Sequence, residues 1–156
     1  MKVLIVVIAL LAFPSVLFGV IDFNGNGVSE IWELQHKGTV ADDFDSDKDG
    51  SSNLAEGIAG TDPHDPESVL ALEHPVLDGP EVRFSWSAEA GKSYRLERWD
   101  PAANGWSEAA SILPLSISAI QTVTLDRLDG GVFRLVSADI DMDGDGLSAW
   151  EEILIG

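Results

Sequence analysis

The middle of the chain alternates apolar and polar positions with the two-residue period of a half-buried strand. In EVRFSWS, Val82, Phe84 and Trp86 fall on one face and Arg83, Ser85 and Ser87 on the other. In SYRLERW, Tyr94 and Leu96 oppose Arg95 and Glu97, and the intervening AEAGKS supplies a turn, so the two stretches predict a hairpin. Two further apolar stretches, SISAIQTVTL and GGVFRLVSA, extend the pattern to at least four strands between residues 78 and 138. The predicted fold class is mainly β, a small antiparallel β-sandwich.

Outside that module the pattern changes. Residues 3–21 form an uncharged apolar run behind Lys2, broken by Pro14, Ser15 and Gly19. This reads as an N-terminal signal helix over 1–19, cleaved after Gly19, with an uncleaved membrane anchor as the alternative. Three other segments align with one another without gaps: DFNGNGVSEIWE at 22–33, DSDKDGSSNLAE at 45–56 and DMDGDGLSAWEE at 141–152. Each has Asp at position 1, Asp or Asn at 3 and 5, Gly at 6, Ser at 8 and Glu at 12. The expected organisation is a signal peptide (1–19), two loop repeats with a linker (20–68), the β-module (78–138) and a third loop repeat (139–156).

The spacing points to a hard cation. Calcium takes six to eight oxygens at flexible geometry, and a curled loop delivers them from side chains at 1, 3 and 5, a carbonyl at 7 and a two-oxygen Glu at 12. The second loop offers Asp45, Asp47, Asp49, the Ser51 carbonyl, Asn53 directly or through water, and Glu56. The third offers Asp141, Asp143, Asp145, the Leu147 carbonyl and Glu152, with water in place of Ala149 at position 9. The first offers Asp22, Asn24, Asn26, the Val28 carbonyl and Glu33, with Glu30 at position 9; its two asparagines lower its charge, so it is expected to bind most weakly. The competing reading of such clusters is a set of Asx turns without an ion, and magnesium is the competing metal. Gly27, Gly50 and Gly146 at position 6 allow the sharp turn.

Serine at position 8 is unlike paired helix-loop-helix hands, which place an apolar residue there. Ser29, Ser52 and Ser148 instead predict N-caps of short helices carrying the closing glutamates, with Glu151 completing a capping box on Ser148. In the second unit Gly57, Gly60 and Pro63 are expected to stop the helix.

These residues resemble the bacterial thrombospondin type 3-like calcium repeats of secreted proteins, whose pattern is DxDxDGxSxxxE followed by GTDP. The second unit matches through DSDKDGSSNLAEGIAGTDP and the third through DMDGDGLSAWEE, whereas the first departs at both asparagines and has no GTDP tail. The resemblance covers under half of the chain and implies structural calcium binding outside the cytoplasm, with Asp62 and Asp65 as further ligand candidates. FSW, GKSYRLE and VFRLV also resemble a small fibronectin-like module. Glu152 is followed only by ILIG where Glu56 is followed by GIAGTDP, so the chain is expected to be the front of a longer protein or an interrupted gene.

Composition narrows the partners. Against 27 Asp and Glu stand 9 Lys and Arg, a formal charge of -18, which disfavours nucleic acid and anionic membrane surfaces. The 45% hydrophobic content is too high for a disordered polyanion, and with no cysteine the remaining available staple is a metal ion. GxSxG, HExxH and phosphate-loop motifs are missing, and His36, His64 and His74 lie in polar stretches. The expectation is a secreted or cell-surface, non-enzymatic structural or adhesion module, or a periplasmic one. Its partners would be calcium, cell-surface proteins or glycans, with no nucleic acid and no stable membrane association after cleavage. The alternatives are a carbohydrate-binding module, for which Trp99 is a better candidate than the core-facing Trp86, and the non-catalytic N-terminal part of a larger secreted hydrolase.

Overall fold

The computed structural model describes residues 5–8, 20–37, 39–126 and 131–156. Ten elements follow one another: β1 (Ile5–Ile8), α1 (Glu30–Gln35), α2 (Asn53–Ala59), β2 (Val76–Asp78), β3 (Glu81–Ala88), β4 (Ser93–Asp100), β5 (Gly105–Ile112), β6 (Ala119–Asp126), β7 (Gly131–Ala138) and α3 (Ala149–Ile155). The strands form two small sheets, ordered β1-β7-β4-β5 and β2-β3-β6. All pairings are antiparallel except β1 with β7, which is parallel. Of the segment expected to form a signal helix, Ile5–Ile8 is therefore extended; its other residues lie outside the described ones.

The predicted alternation holds in β3, where Val82, Phe84, Trp86 and Ala88 are buried and the residues between them are not. The expected β3–β4 hairpin does not form. β3 pairs with β2 and β6, β4 pairs with β5 and β7, and the AEAGKS turn carries the chain from one sheet to the other. Apolar faces explain the crossing, because Val82 and Phe84 of one sheet pack against Leu96 and Phe133 of the other, and Trp86 packs with Tyr94 and Leu135. Side-by-side pairing would have left those faces without cover. A bulge between Leu96 and Glu97 breaks the parity of β4. Glu97, expected on the outer face, is buried and bound to Arg134 at 2.6 Å.

The three short helices are too brief to persist alone. Each is capped as predicted: Ser29 accepts from Ile31, Ser52 from Ala55, and Ser148 forms the complete capping box with Glu151. Gly60 ends α2 in the left-handed region at φ 81°, while Gly57 lies inside the helix instead of stopping it. A Cβ at Gly57 would come 2.6 Å from a methyl of Val28, so the missing side chain makes room for the first repeat.

Although the third repeat follows the β-module in sequence, it joins the first two in space. Val28, Trp32, Ala41 and Trp150 form one buried cluster, flanked by Leu54, Ile58 and Leu154. Burying an aromatic of this size contributes roughly 4–6 kcal/mol at ~25 cal/mol/Å² before ordering costs. Trp32 also donates through Nε1 to the carbonyl of Thr61 at 2.8 Å.

Lys92, in the turn between the sheets, bolts this cluster to the β-module. Its ammonium donates to the Ile58 carbonyl and to Asp139 Oδ2, both at 2.9 Å, and lies 4.3 Å from the centre of the Trp150 ring. Burial holds its pKa below the usual lysine value, opposed by Asp139.

Candidate metal-binding loops

All three loops are built on one frame of side-chain to backbone hydrogen bonds. The Asp at position 1 accepts with one oxygen from the N–H of position 4, at 2.6 Å in each loop, and with the other from the N–H of position 6, at 2.9–3.0 Å. The side chain at 3 accepts from the N–H of 5, and that at 5 from the N–H of 7. Position 6 has positive φ at Gly27, Gly50 and Gly146, as its glycine predicts. Position 4 does too, at Gly25, Gly144 and also Lys48 (φ 70°), a demand that the sequence pattern did not reveal.

The frame uses one oxygen of each side chain at 3 and 5 and leaves the other atom free to point elsewhere. In the second loop those free atoms are Asp47 Oδ2 and Asp49 Oδ2, both buried and without a hydrogen-bond partner among the described residues. Glu56, wholly buried, has no partner for either oxygen. One oxygen from each of Asp45, Asp47 and Asp49 lies within 4.8 Å of the others. Burial, followed by the charges of Asp47, Asp49, Asp45 and Asp62, pushes the Glu56 carboxyl up to about 8. Asp49 is raised as well, by burial and then by Asp47 and Asp45, against the lowering effect of the Ser51 N–H.

Four buried carboxylate oxygens without hydrogen-bond partners are costly unless a cation gathers them. A hard, oxygen-seeking ion would fit this donor set, with Asp45, Asp47, Asp49 and Glu56 as the residues to hold it. Asn53 is engaged in the frame: its Oδ1 accepts from Ser46 at 3.3 Å and its amide donates to the Val40 carbonyl at 3.1 Å.

In the third loop Asp141, Asp143 and Asp145 form the same compact triplet, more open to solvent. Glu152 is exposed; partial loss of water and the charges of Asp143, Asp145 and Asp141 raise its carboxyl above the ordinary value. A cation would be held here by the triplet and Glu152.

The first loop differs. The amides of Asn24 and Asn26 donate to Glu33, at 3.1 Å to Oε2 and 2.7 Å to Oε1. Glu30 turns to the start of the loop, accepting from the N–H groups of Phe23 and Asn24 at 2.6 and 3.1 Å, while its Oε2 has no partner among the described residues. Val28, the position-7 residue, is buried in the cluster that joins the repeats.

Of the further candidates, Asp62 lies near enough to raise Glu56 and accepts from the His64 N–H, whereas Asp65 accepts from the Glu67 N–H in a separate turn. His36 packs tilted against Trp32 with its Nε2 3.7 Å from Asp62 Oδ1, and His64 meets Thr39 at 2.8 Å. Trp99 and Trp106 pair across β4 and β5 edge to face at 5.4 Å, both half-buried.

No protein-family model, curated protein or solved structure matches this chain. Among the described residues no helix is long and apolar enough to cross a membrane.

Proposed function

We propose that this chain is a secreted, non-enzymatic calcium-binding module of the bacterial thrombospondin type 3-like class. In this reading calcium rigidifies the loop-helix repeats beside a small fibronectin-like β-sandwich, for spacing or adhesion outside the cell. The segment 1–19 is its cleaved signal peptide. The observation that carries the reading is the set of unpartnered oxygens on Asp47, Asp49 and Glu56, beside the compact triplet of Asp45, Asp47 and Asp49. The exposed acidic triplet of the third loop supports a second, more open site. The packing of buried faces from both sheets in shared clusters supports the sandwich form.

Calcium bound only by the folded chain stabilises it by mass action, by about 2.7 kcal/mol per site at a concentration one hundred times the dissociation constant. Extracellular modules work at weak affinities, around 10⁻⁴–10⁻³ M, because their surroundings hold calcium at such levels. Native mass spectrometry with calcium and magnesium, together with thermal melts in calcium and in EDTA, tests the proposal. Bound calcium and a higher melting temperature are expected; coincident melts would refute it.

A second reading, glycan binding, rests on Trp99. This ring lines a shallow cavity of about 250 Å³ with Arg98, Asp100, Pro101 and Ser107. A glycan array with and without calcium distinguishes it, since the structural reading expects a blank.

A further inference from the structure

We infer that the first loop is closed by its own side chains and takes no calcium, so that the three repeats comprise two ion sites and one ion-free copy. The inference deepens the calcium reading of the other two loops and rests on it for their occupancy. The shared frame fixes which atom of each side chain faces inward. Asn24 Oδ1 accepts from the Asn26 N–H at 3.0 Å and Asn26 Oδ1 from the Val28 N–H at 2.9 Å, as Asp47 and Asp49 do from their own backbone partners. With the oxygen committed to the backbone, the remaining atom is an oxygen in the second loop and an NH₂ in the first.

Two NH₂ groups facing a carboxylate are in their favourable orientation. Rotating either amide to offer oxygen to a cation would set NH₂ against a backbone N–H and break both of its bonds. Glu33, the residue that would close an ion site with both oxygens, already has each oxygen occupied by Asn26 and Asn24. Glu56 at the same position has none occupied. Glu30 at position 9 is pinned to Phe23 and Asn24, which leaves one buried side-chain oxygen without a partner in the first loop against four in the second. Ser29 within the loop and Ile21 just before it both donate to Glu151 in the third repeat, so the first repeat has an anchor made of hydrogen bonds alone.

Backbone hydrogen exchange of the intact chain, read by mass spectrometry for each loop, tests this. Residues 22–33 should be equally protected in EDTA and in calcium, within about twofold, while 45–56 and 141–152 slow on calcium addition. The double substitution N24D/N26D should speed exchange of the first loop in EDTA by roughly tenfold or more and should restore protection on adding calcium. Glu33→Gln, of nearly the same volume, should leave the number of bound calcium ions unchanged. A first loop that becomes protected only with calcium, an ion lost in Glu33→Gln, or an N24D/N26D loop as protected in EDTA as the parent would each overturn the inference. If instead the other two loops ignore calcium while the first remains protected in EDTA, the calcium reading fails and this inference stands.

Discussion

The carboxylate of Glu151 accepts a hydrogen bond of 2.5 Å from the hydroxyl of Ser29, a residue 122 positions earlier in the chain. The same oxygen accepts from the Ile21 N–H at 2.9 Å, and the other takes the Ser148 N–H and hydroxyl at 2.9 and 3.2 Å. Both Glu151 and Ser148 are wholly buried. One acidic side chain thus caps its own helix and holds the first repeat against the third, joining the two ends of the described fold after residue 20.

Removing that carboxylate leaves four donors without their acceptor, three of them in buried bonds. Glu151→Ala is expected to cost about 2–4 kcal/mol, since buried donors left unsatisfied carry their desolvation penalty. For a chain of this size that lowers the melting temperature by roughly 6–15 °C. Glu151→Gln keeps one acceptor and should fall between the parent and the alanine variant. Saturating calcium should not rescue either, because the lost bonds lie outside the ion sites. Melting curves in calcium and in EDTA measure all three.

Glu56 gives a pH dependence whose size depends on calcium. Its carboxyl is pushed up from 4.5 to about 8 when no ion is bound. Between these values the unfolded chain has released the proton and the folded chain retains it. Folded protein therefore binds more protons than unfolded across that window, and stability falls as pH rises through it. In EDTA the urea midpoint should drop from pH 5 to pH 8, and Glu56→Gln, neutral throughout, should flatten that drop and be the more stable at pH 8. On the proposed calcium reading the ion would take the place of the proton, so with calcium the parent should lose most of the slope. A parent and a Glu56→Gln variant with parallel midpoints in EDTA would rule this out.

Local patterns were legible wherever the cause is local. The caps at Ser29, Ser52 and Ser148, the strand face of Val82, Phe84 and Trp86, and the turn glycines at position 6 each follow from residues within a few positions of one another. The β3–β4 crossing was not legible, because a six-residue turn can either pair two strands or carry the chain between sheets. The choice depends on which apolar faces meet. Glu151 and Lys92 were hidden for a similar reason: one reads as a helix cap and the other as a solvated turn lysine, until repeats far apart in sequence come together around them. The inward amides of the first loop follow from its two asparagines, yet only the backbone frame shows that NH₂ and not oxygen faces Glu33.

Gly91 tests how tightly the turn seats against the third repeat. A Cβ there would come 2.3 Å from Trp150 Cα and 2.7 Å from the Ala149 carbonyl oxygen, at a φ of 80° that side chains rarely adopt. Backbone cannot move aside as a flexible side chain can, so Gly91→Ala should cost roughly 3 kcal/mol or more. Gly79→Ala is the control: its φ of 57° is also left-handed, but a Cβ there meets nothing within 4 Å. That variant should cost only about 1–2 kcal/mol, from backbone strain alone. Denaturant titration of both variants separates strain from collision, and equal losses would show that the turn yields.

Lys92 and Asp139 form an ion pair with side chains 0% and 6% exposed, which makes their coupling measurable. Lys92→Met keeps the apolar length of the side chain but leaves a buried carboxylate uncompensated and the Ile58 carbonyl without its donor. The expected loss is about 3–5 kcal/mol. Asp139→Asn should cost less, because the ammonium keeps the Ile58 carbonyl and the face of Trp150. Combining the two removes the stranded charge, so the double variant should be more stable than Lys92→Met alone, and the cycle should return a coupling of roughly 1–3 kcal/mol. The position of the pair adds a functional readout. Ile58 lies two residues after Glu56, and Asp139 two before Asp141, so Lys92 spans the helix closing the second loop and the segment that follows β7 into the third. Loosening it should weaken calcium binding at both loops by a similar factor. A calorimetric titration in which Lys92→Met weakens one loop and spares the other would show that the lysine serves the β-module alone.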